Sequence, residues 1–267
     1  MSGISSQHAI VSIQGEPLAT VVYEPEVVTS DVVLVHGFTG SKEDFIDMSL
    51  LLAQKGHRVL TFDNRGQHES GHTQRVDGYS MLSLGRDVIE LVNVFELRKP
   101  HLMGHSFGGL ISQQATVLAP KLFSSLTLFC SGPGGKSSWF DFPQFAGLTN
   151  ANKAEKWENN SLIEDQSSPK YPLRKKRWLA SDAVSTLEYR EHLRTFTPLI
   201  SEIRELGISS HVVYGENDDV WPLDEQRDMA HKLSAQLTIL PGCGHCPNEE
   251  NPSLTADALS QFWKSVQ

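Results

Sequence analysis

The stretch HLMGHSFGGL, residues 101–110, holds a serine between two glycines in the spacing G-x-S-x-G, Gly104 to Gly108. A short apolar strand pattern precedes it, and a helical pattern, Ser106–Leu118, follows. In that context the serine stands on a sharp, strained turn that lifts its hydroxyl clear of a sheet. The helix N-terminus behind it favours negative charge that develops on a substrate. Ser106 is therefore predicted to be a nucleophile rather than the capping serine of an ordinary βα turn.

Outward from this turn, strand patterns alternate with helical patterns. Strands are predicted at His8–Ile13, Ala19–Tyr23, Val32–Val35, Arg58–Phe62, His101–Met103, Leu126–Phe129, His211–Tyr214 and Gln236–Leu240. Helices are predicted at Phe45–Lys55, Met81–Leu97, Ser106–Leu118, Ala183–Thr195, Asp224–Leu233 and Leu254–Val266. The first two strands form a hairpin, and the rest of the alternation indicates βαβ units. The predicted fold is α/β, with a mostly parallel central sheet and helices on both faces.

Residues 133–198 interrupt this alternation. The turn formers of Gly132–Gly135 open the segment, and no core-strand pattern follows before His211–Tyr214. We therefore predict one core, residues 1–132 and 199–267, with an insertion at 133–198. Most aromatic side chains of the insertion are expected to form its own small core, and two or three are expected to contact a ligand. The aromatic residues of the insertion are Trp139, Phe140, Phe142, Phe145, Trp157, Tyr171, Trp178, Tyr189 and Phe196.

Composition narrows the function classes. The 267 residues are 39% hydrophobic and 21% charged, with a net charge of −9, which is typical of a soluble globular protein and disfavours nucleic-acid binding. The basic run Arg174–Arg177 is interpreted as a solvated face rather than an anion or partner site. No apolar stretch has the roughly 18 to 20 residues of a membrane helix, and the N-terminus lacks a signal-peptide pattern. Three cysteines fit a reducing cytoplasm, so we expect a cytoplasmic protein without a membrane partner.

A serine nucleophile needs a base and an orienting acid, which follow it in the order acid, then histidine, after this kind of turn. The strand His211–Tyr214 runs into Gly215–Pro222, which contains Asp218 and Asp219. The strand Gln236–Leu240 runs into Pro241–His245. His245 is predicted to be the base.

These motifs together resemble those of the α/β-hydrolase family, over nearly the whole chain outside the insertion. His36-Gly37-Phe38 is similar to the family's oxyanion-loop motif, and Asp63-x-Arg65-Gly66…Ser70 to its D-x-R-G-x-G-x-S segment. Gly215-x-x-Asp218-x-x-x-Pro222 resembles its acid turn, and Gly242-x-Gly244-His245 its histidine loop. One departure is His68, which stands where the family's second glycine is usual.

The resemblance implies an α/β-hydrolase fold with a helical cap, and a triad of Ser106, His245 and Asp218, with Asp219 as the alternative acid. The backbone N–H groups of Phe38 and Phe107 would bind the oxyanion. Predicted substrate-binding residues are His36, Gly37, Trp139, Val220 and Trp221. Relatives that open epoxides or displace halide carry aspartate at the position of Ser106. Those chemistries are therefore disfavoured here.

The predicted reaction is hydrolysis of a small to medium, partly apolar carboxylic ester or lactone through an acyl-enzyme. The same triad also supports a C–C bond hydrolase, a perhydrolase or an aminopeptidase, and the last would use an acidic cluster at Glu155, Glu158, Glu164 and Asp165 to hold an amine. A slow-turnover ligand-sensing protein of the same fold is an alternative of another class. The oligomeric state stays open.

No cofactor or metal is expected. Cys243 and Cys246 flank Gly244-His245 in a Cys-x-x-Cys spacing, but no second Cys/His pair completes the four ligands of a structural zinc site. A redox pair of this spacing normally precedes a helix in a different βαβ context. His68 and His72 lie four residues apart in a glycine-rich loop without an obvious third ligand.

Overall fold

The computed structural model describes residues 3–135, 143–159 and 169–266, in which eight strands form one sheet of order β1-β2-β4-β3-β5-β6-β7-β8. The strands are Ser5–Ile13 (β1), Glu16–Glu24 (β2), Ser30–Val35 (β3), His57–Phe62 (β4), His101–His105 (β5), Ser125–Phe129 (β6), Ser209–Gly215 (β7) and Gln236–Leu240 (β8). β1 and β2 form the predicted antiparallel hairpin, β2 pairs antiparallel with β4, and the strands β3 to β8 pair in parallel. The mostly parallel α/β sheet is confirmed.

Helices connect these strands. They are Ile46–Gln54 (α1), Met81–Val94 (α2), Phe107–Leu118 (α3), Lys153–Glu158 (α4), Tyr171–Ala180 (α5), Ala183–Thr195 (α6), Ile200–Leu206 (α7), Leu223–Leu233 (α8), Pro247–Glu250 (α9) and Pro252–Ser265 (α10). The β3-to-β4 connection runs in one direction along the sheet, and the connections from β4 onward run in the other. Because such crossovers are right-handed, α1 lies on one face and α2, α3 and α8 lie on the other. α10 packs with α1, and α2 packs with α3.

The central strands are buried on both faces, as a parallel sheet between helical layers requires. Val32, Val33, Leu34 and Val35 of β3 have no exposed surface. On α2, Leu84, Val88 and Leu91 are buried along one stripe, which matches the helical spacing of the sequence. That helix ends three residues before its predicted end, since Phe95 is its C-cap and Glu96 is left-handed, with φ 49°.

The segment between β6 and β7 contains helices and no strand in its described parts. Five residues of the insertion form a separate apolar cluster: Phe145, Leu148, Trp157, Trp178 and Ala183. Tyr189 and Phe196 belong instead to the main core. Trp139, Phe140 and Phe142 lie outside the described residues.

The loop after β4 fixes α6 of the insertion on the core. The carbonyl of Gly66 accepts from the backbone N–H of Asp182 at 2.7 Å and from Ser185 Oγ at 3.0 Å. Gly66 has φ 73°, and a Cβ there would lie 2.6 Å from the Ser185 Cβ, so this position needs glycine. His68 stands where the family pattern has glycine, and its backbone is left-handed with φ 46°. The loop therefore keeps a left-handed residue at this position without glycine.

Three buried histidines make acid destabilisation an expected property of the fold. His57 forms hydrogen bonds with Ser30 and Ser260 through its two ring nitrogens. One ring nitrogen of His101 bonds to Ser125, and one of His211 bonds to Thr238. Burial lowers the pKa of each from 6.5 to about 4. Between those values the unfolded chain binds protons that the folded chain does not, so stability that is present above pH 6.5 is lost as the pH falls toward 4.

Each of these histidines is expected to remove up to about 1.4 kcal/mol of unfolding free energy per pH unit within that window. Urea unfolding at pH 7.5 and 5.0 measures the loss. His57→Gln should flatten the dependence, whereas the exposed His231→Gln should leave it unchanged. Equal unfolding free energies of the wild type at the two pH values would contradict the prediction.

Candidate active site

The sheet has a topological switch point between β3 and β5. These strands are hydrogen-bonded neighbours, but the chain leaves β3 toward one edge of the sheet and β5 toward the other. In open α/β sheets, ligands bind in the crevice outside the carboxyl ends of the strands at such a point. The β3 loop, Gly37–Asp44, and the turn at Ser106 border this crevice.

Ser106 lies between β5 and α3 with φ 52° and ψ −118°. A non-glycine residue in this region costs on the order of 1–3 kcal/mol, and its surroundings must hold it there. Its N–H donates to the carbonyl of Phe129 at 2.9 Å, and its own carbonyl accepts from Ser131 Oγ at 2.8 Å. Both bonds come from β6 or the residues directly after it, so the neighbouring strand fixes the strained turn.

The two glycines of the motif are required by close backbone contacts. A Cβ on Gly104 would lie 2.2 Å from the carbonyl oxygen of Gly108, and one on Gly108 would lie 2.2 Å from that of Val35. Larger residues at either position would push α3 away from the sheet. The G-x-S-x-G spacing thus follows from the packing of β5, α3 and β3.

The loops after β7 and β8 bring Asp218 and His245 together. His245 Nδ1 lies 2.9 Å from Asp218 Oδ1. Because an ionised carboxylate can only accept, the histidine donates from Nδ1, and Nε2 is left to accept a proton. Asp219, the alternative acid, is exposed.

Asp218 is held by several donors in a buried position. Oδ1 also accepts from the N–H groups of Val220 at 3.0 Å and Trp221 at 3.3 Å, and Oδ2 accepts from Gln226 Nε2 at 3.1 Å. Burial alone would raise the pKa of Asp218, but the bond and charge of His245 and these donors outweigh it and hold the pKa below its ordinary value. The carboxylate therefore stays ionised beside the imidazole.

A cavity of about 460 Å³ lies between these loops and the insertion, within the size range of small-molecule sites. Ser106, His105 and His245 line one part of it, with Gly37, Phe38 and Val220. Four aromatic side chains of the insertion line another part: Phe145, Trp157, Tyr171 and Trp178. One cavity thus joins the candidate nucleophile and base to an apolar wall.

The family assignment follows from sequence comparison. A family model described as "Alpha/beta hydrolase family" matches residues 32–258, from β3 into α10. The chain belongs to the alpha/beta hydrolase family. Membership supports hydrolase activity and agrees with the observed fold.

Similar proteins span more than one reaction. A Bacillus subtilis protein named "Putative 2-succinyl-6-hydroxy-2,4-cyclohexadiene-1-carboxylate synthase" is 26% identical, over 88% of this chain and 90% of its own length. Monoacylglycerol lipase abhd6-B of Xenopus laevis is 24% identical, over 88% and 76%. The structure of a thermophilic esterase from Thermogutta terrifontis, with malate bound, has a TM-score of 0.80 and 19% identity, over 97% and 99%.

Of the predicted substrate-binding residues of this alpha/beta hydrolase, Gly37 and Val220 line the cavity, and Trp139 lies outside the described residues. The expectations for His36 and Trp221 need correction, since neither lines the cavity. His36 is fully buried, and its Nε2 accepts from the N–H of Asn64 at 2.8 Å, so it supports the β3 loop from below. Trp221 is 2% exposed because its ring packs directly on Gly132.

The basic run on α5 was expected to be a solvated face, and this is wrong for two of its residues. Arg174 and Arg177, three apart on the helix, line the cavity, while Lys176 is exposed. Sequence spacing places the two arginines on one face, but only the fold reveals that this face covers the crevice.

Two residues that hold Asp218 or the loop around His245 belong to no sequence motif, and they were not predicted from the sequence. Gln226, fully buried on α8, contacts Asp218. The carboxylate of Glu250 accepts from the N–H groups of Gly244 at 2.5 Å and Cys246 at 2.8 Å, which shapes the loop around His245. His105 supports the same loop, since its Nε2 lies 2.9 Å from the carbonyl oxygen of His245. Burial lowers the pKa of His105 to about 4.

The thiols of Cys243 and Cys246 are free. Burial, and then the charges of Glu249 and Asp44, raise the pKa of Cys246 to about 12, although this residue lines the cavity. Burial also raises the pKa of Cys243. Both thiols therefore stay protonated near neutral pH, where they are poor nucleophiles.

Among the described residues, one group of side chains is close enough together to be considered as metal ligands. Glu43, His68 and Glu69 bring ligand atoms within 4.8 Å of one another. Lys42 Nζ lies 2.8 Å from Glu43, 2.8 Å from Asp63 and 2.9 Å from Glu69, and these carboxylates raise its pKa against the effect of burial. A lysine ammonium thus supplies the positive charge at this cluster.

No described helix is long and apolar enough to span a bilayer.

Proposed function

We propose that this protein is a serine hydrolase that cleaves a small to medium, partly apolar carboxylic ester or lactone. The observation that carries the proposal is the hydrogen bond between Asp218 and His245, because His245 lines the same cavity as Ser106 on its strained turn. Nucleophile, base and orienting acid in this arrangement are the parts that acyl transfer requires.

Ser106 Oγ attacks the substrate carbonyl, and His245 Nε2 takes the hydroxyl proton. The acyl–oxygen bond then breaks, and the leaving alkoxide receives that proton, which leaves an acyl-serine. Water adds to the acyl-serine by the same route, and the carboxylic acid and free Ser106 result. Asp218 stabilises the imidazolium in both halves.

The N–H groups of Phe38 and Phe107 would bind the oxyanion. Phe107 is the first residue of α3, where helix N–H groups have no partner within the helix. A Cβ on Gly37, next to Phe38, would lie 3.2 Å from the Ser106 Cβ, so the β3 loop lies directly beside the nucleophile. One such donor contributes on the order of 100-fold or more in rate.

The size of the cavity and the four aromatic side chains in its lining support a partly apolar substrate, and the insertion, residues 133–198, would act as its cap. The aminopeptidase alternative has no comparable support. Glu155 and Glu158 are exposed and do not line the cavity, and Glu164 and Asp165 lie outside the described residues.

Two measurements test the proposal. We expect hydrolysis of p-nitrophenyl esters from acetate to decanoate, with an optimum at the acyl length that fits the cavity. Diethyl p-nitrophenyl phosphate should add one diethylphosphoryl group to Ser106, detectable by peptide mass spectrometry. Labelling without hydrolysis of any ester or lactone would retain the nucleophile but reject the ester reaction. Absence of both would reject the proposal.

A further inference from the structure

The insertion contacts the β3 loop at both of its ends. At the first end, the ring of Phe145 packs edge-on against that of Phe38, with centroids 5.5 Å apart. At the other end, Arg177 Nη1 donates to Ser41 Oγ at 3.0 Å and pairs with the carboxylate of Asp44. The N–H that would bind the oxyanion therefore belongs to the residue of the first contact, Phe38, and Thr39 and Gly40 connect it to the second.

The Arg177 contact is transmitted into the loop by Asp44. Oδ2 of Asp44 accepts from the N–H of Ser41 at 3.1 Å. The same oxygen lies against Gly40, where a Cβ would come within 2.5 Å of it. Thr39, between Phe38 and Gly40, has φ 56°, a conformation that its surroundings must maintain.

The ion pair is well enough shielded to fix geometry. The side chains of Arg177 and Asp44 are 8% and 14% exposed. In such a setting, loss of one partner leaves the other with an uncompensated charge, which destabilises the arrangement that holds it. Removal of Arg177 should therefore displace Asp44, and with it the Ser41 and Gly40 backbone.

We propose that Arg177 is a positioning residue that couples the seating of α5 to the geometry of the oxyanion hole. The inference rests on the proposed function, because it assigns the β3 loop to oxyanion binding. The N–H of Phe38 then reaches its working position only when α5 is docked on the core. A displacement of about 1 Å of such a donor is enough to cost on the order of 100-fold in rate.

The test compares Arg177→Ala with Lys176→Ala. Lys176, the next residue of α5, also pairs with the core, 3.3 Å from Glu69, but does not line the cavity. We expect Arg177→Ala to lower kcat for p-nitrophenyl butyrate by about 10- to 100-fold, with KM changed less than about threefold. Amide hydrogen exchange at residues 37–44 should accelerate. Lys176→Ala should change neither kcat nor the amide exchange at residues 37–44.

Arg177→Lys provides the second variant, in case alanine prevents folding. Lysine keeps the positive charge, but its ammonium lies one bond closer to the backbone than the Nη1 that contacts both Ser41 and Asp44, so kcat should recover in part. A kcat within twofold of wild type in a folded Arg177→Ala, or a rise in KM alone, would overturn the inference. If the wild type hydrolyses no ester, the proposed function fails, and the exchange data decide alone. Unchanged exchange at 37–44 would then refute the coupling.

Discussion

Replacement of Ser106 by alanine is expected to lower kcat/KM for p-nitrophenyl esters by at least about 10,000-fold, because removal of a nucleophile disables the whole triad. The fold should survive. The N–H of Ser106 donates to Phe129, and the carbonyl of Ser106 accepts from Ser131 Oγ. Neither bond involves an atom of the Ser106 side chain. Initial rates of the purified variant, with circular dichroism to verify folding, provide the measurement.

Ser112→Ala is a matched control on the same helix. Ser112 is fully buried in α3, and its Oγ has no hydrogen-bond partner among the described residues. Loss of that hydroxyl should leave kcat/KM within about twofold, since it touches no part of the triad. If Ser106→Ala keeps more than a tenth of the wild-type rate, Ser106 does not act as the nucleophile, and the serine-hydrolase proposal fails.

The sequence was sufficient for the core because local patterns reflect local burial. Val32–Val35 reads as an uninterrupted apolar run, and in the fold it is a strand covered on both faces. Ser106, Asp218 and His245 could be predicted as candidate site residues for a related reason. Each lies in the turn or loop that follows the carboxyl end of a strand, and such ends meet along one edge of a parallel sheet.

Residues defined by long-range contacts could not be found in this way. Trp221 follows the acid turn and seemed suited to the cavity wall, but the bare glycine at 132 leaves a space that its ring fills. Arg177 belongs to a charge run that is usually solvated, and its partner Asp44 lies 133 residues earlier in the chain. Neither assignment follows from spacing or composition, because the first depends on contact between two distant segments of the core and the second on where the insertion rests on the core.

Replacement of Asp218 by alanine is the second large effect, an expected loss of about 1,000- to 10,000-fold in kcat for the same esters. Without the carboxylate, the His245 tautomer with a free Nε2 is no longer favoured, and the imidazolium that forms on proton transfer loses its counter-charge. Asp219→Ala is the control, since Asp219 is the adjacent carboxylate but is exposed. Its kcat should stay within about twofold of wild type.

Stability must be measured in parallel, because Asp218 also accepts from the N–H groups of Val220 and Trp221 and from Gln226. Each buried donor that loses its acceptor costs about 1–3 kcal/mol, so Asp218→Ala should be less stable to urea. Asp218→Asn separates the two effects, since its amide oxygen can still accept from these backbone groups while the charge is gone. If Asp218→Asn is as stable as wild type and fully active, catalysis does not need the charge, and Asp218 acts only as a hydrogen-bond acceptor. If Asp219→Ala is the slower variant, the acid has been assigned to the wrong residue.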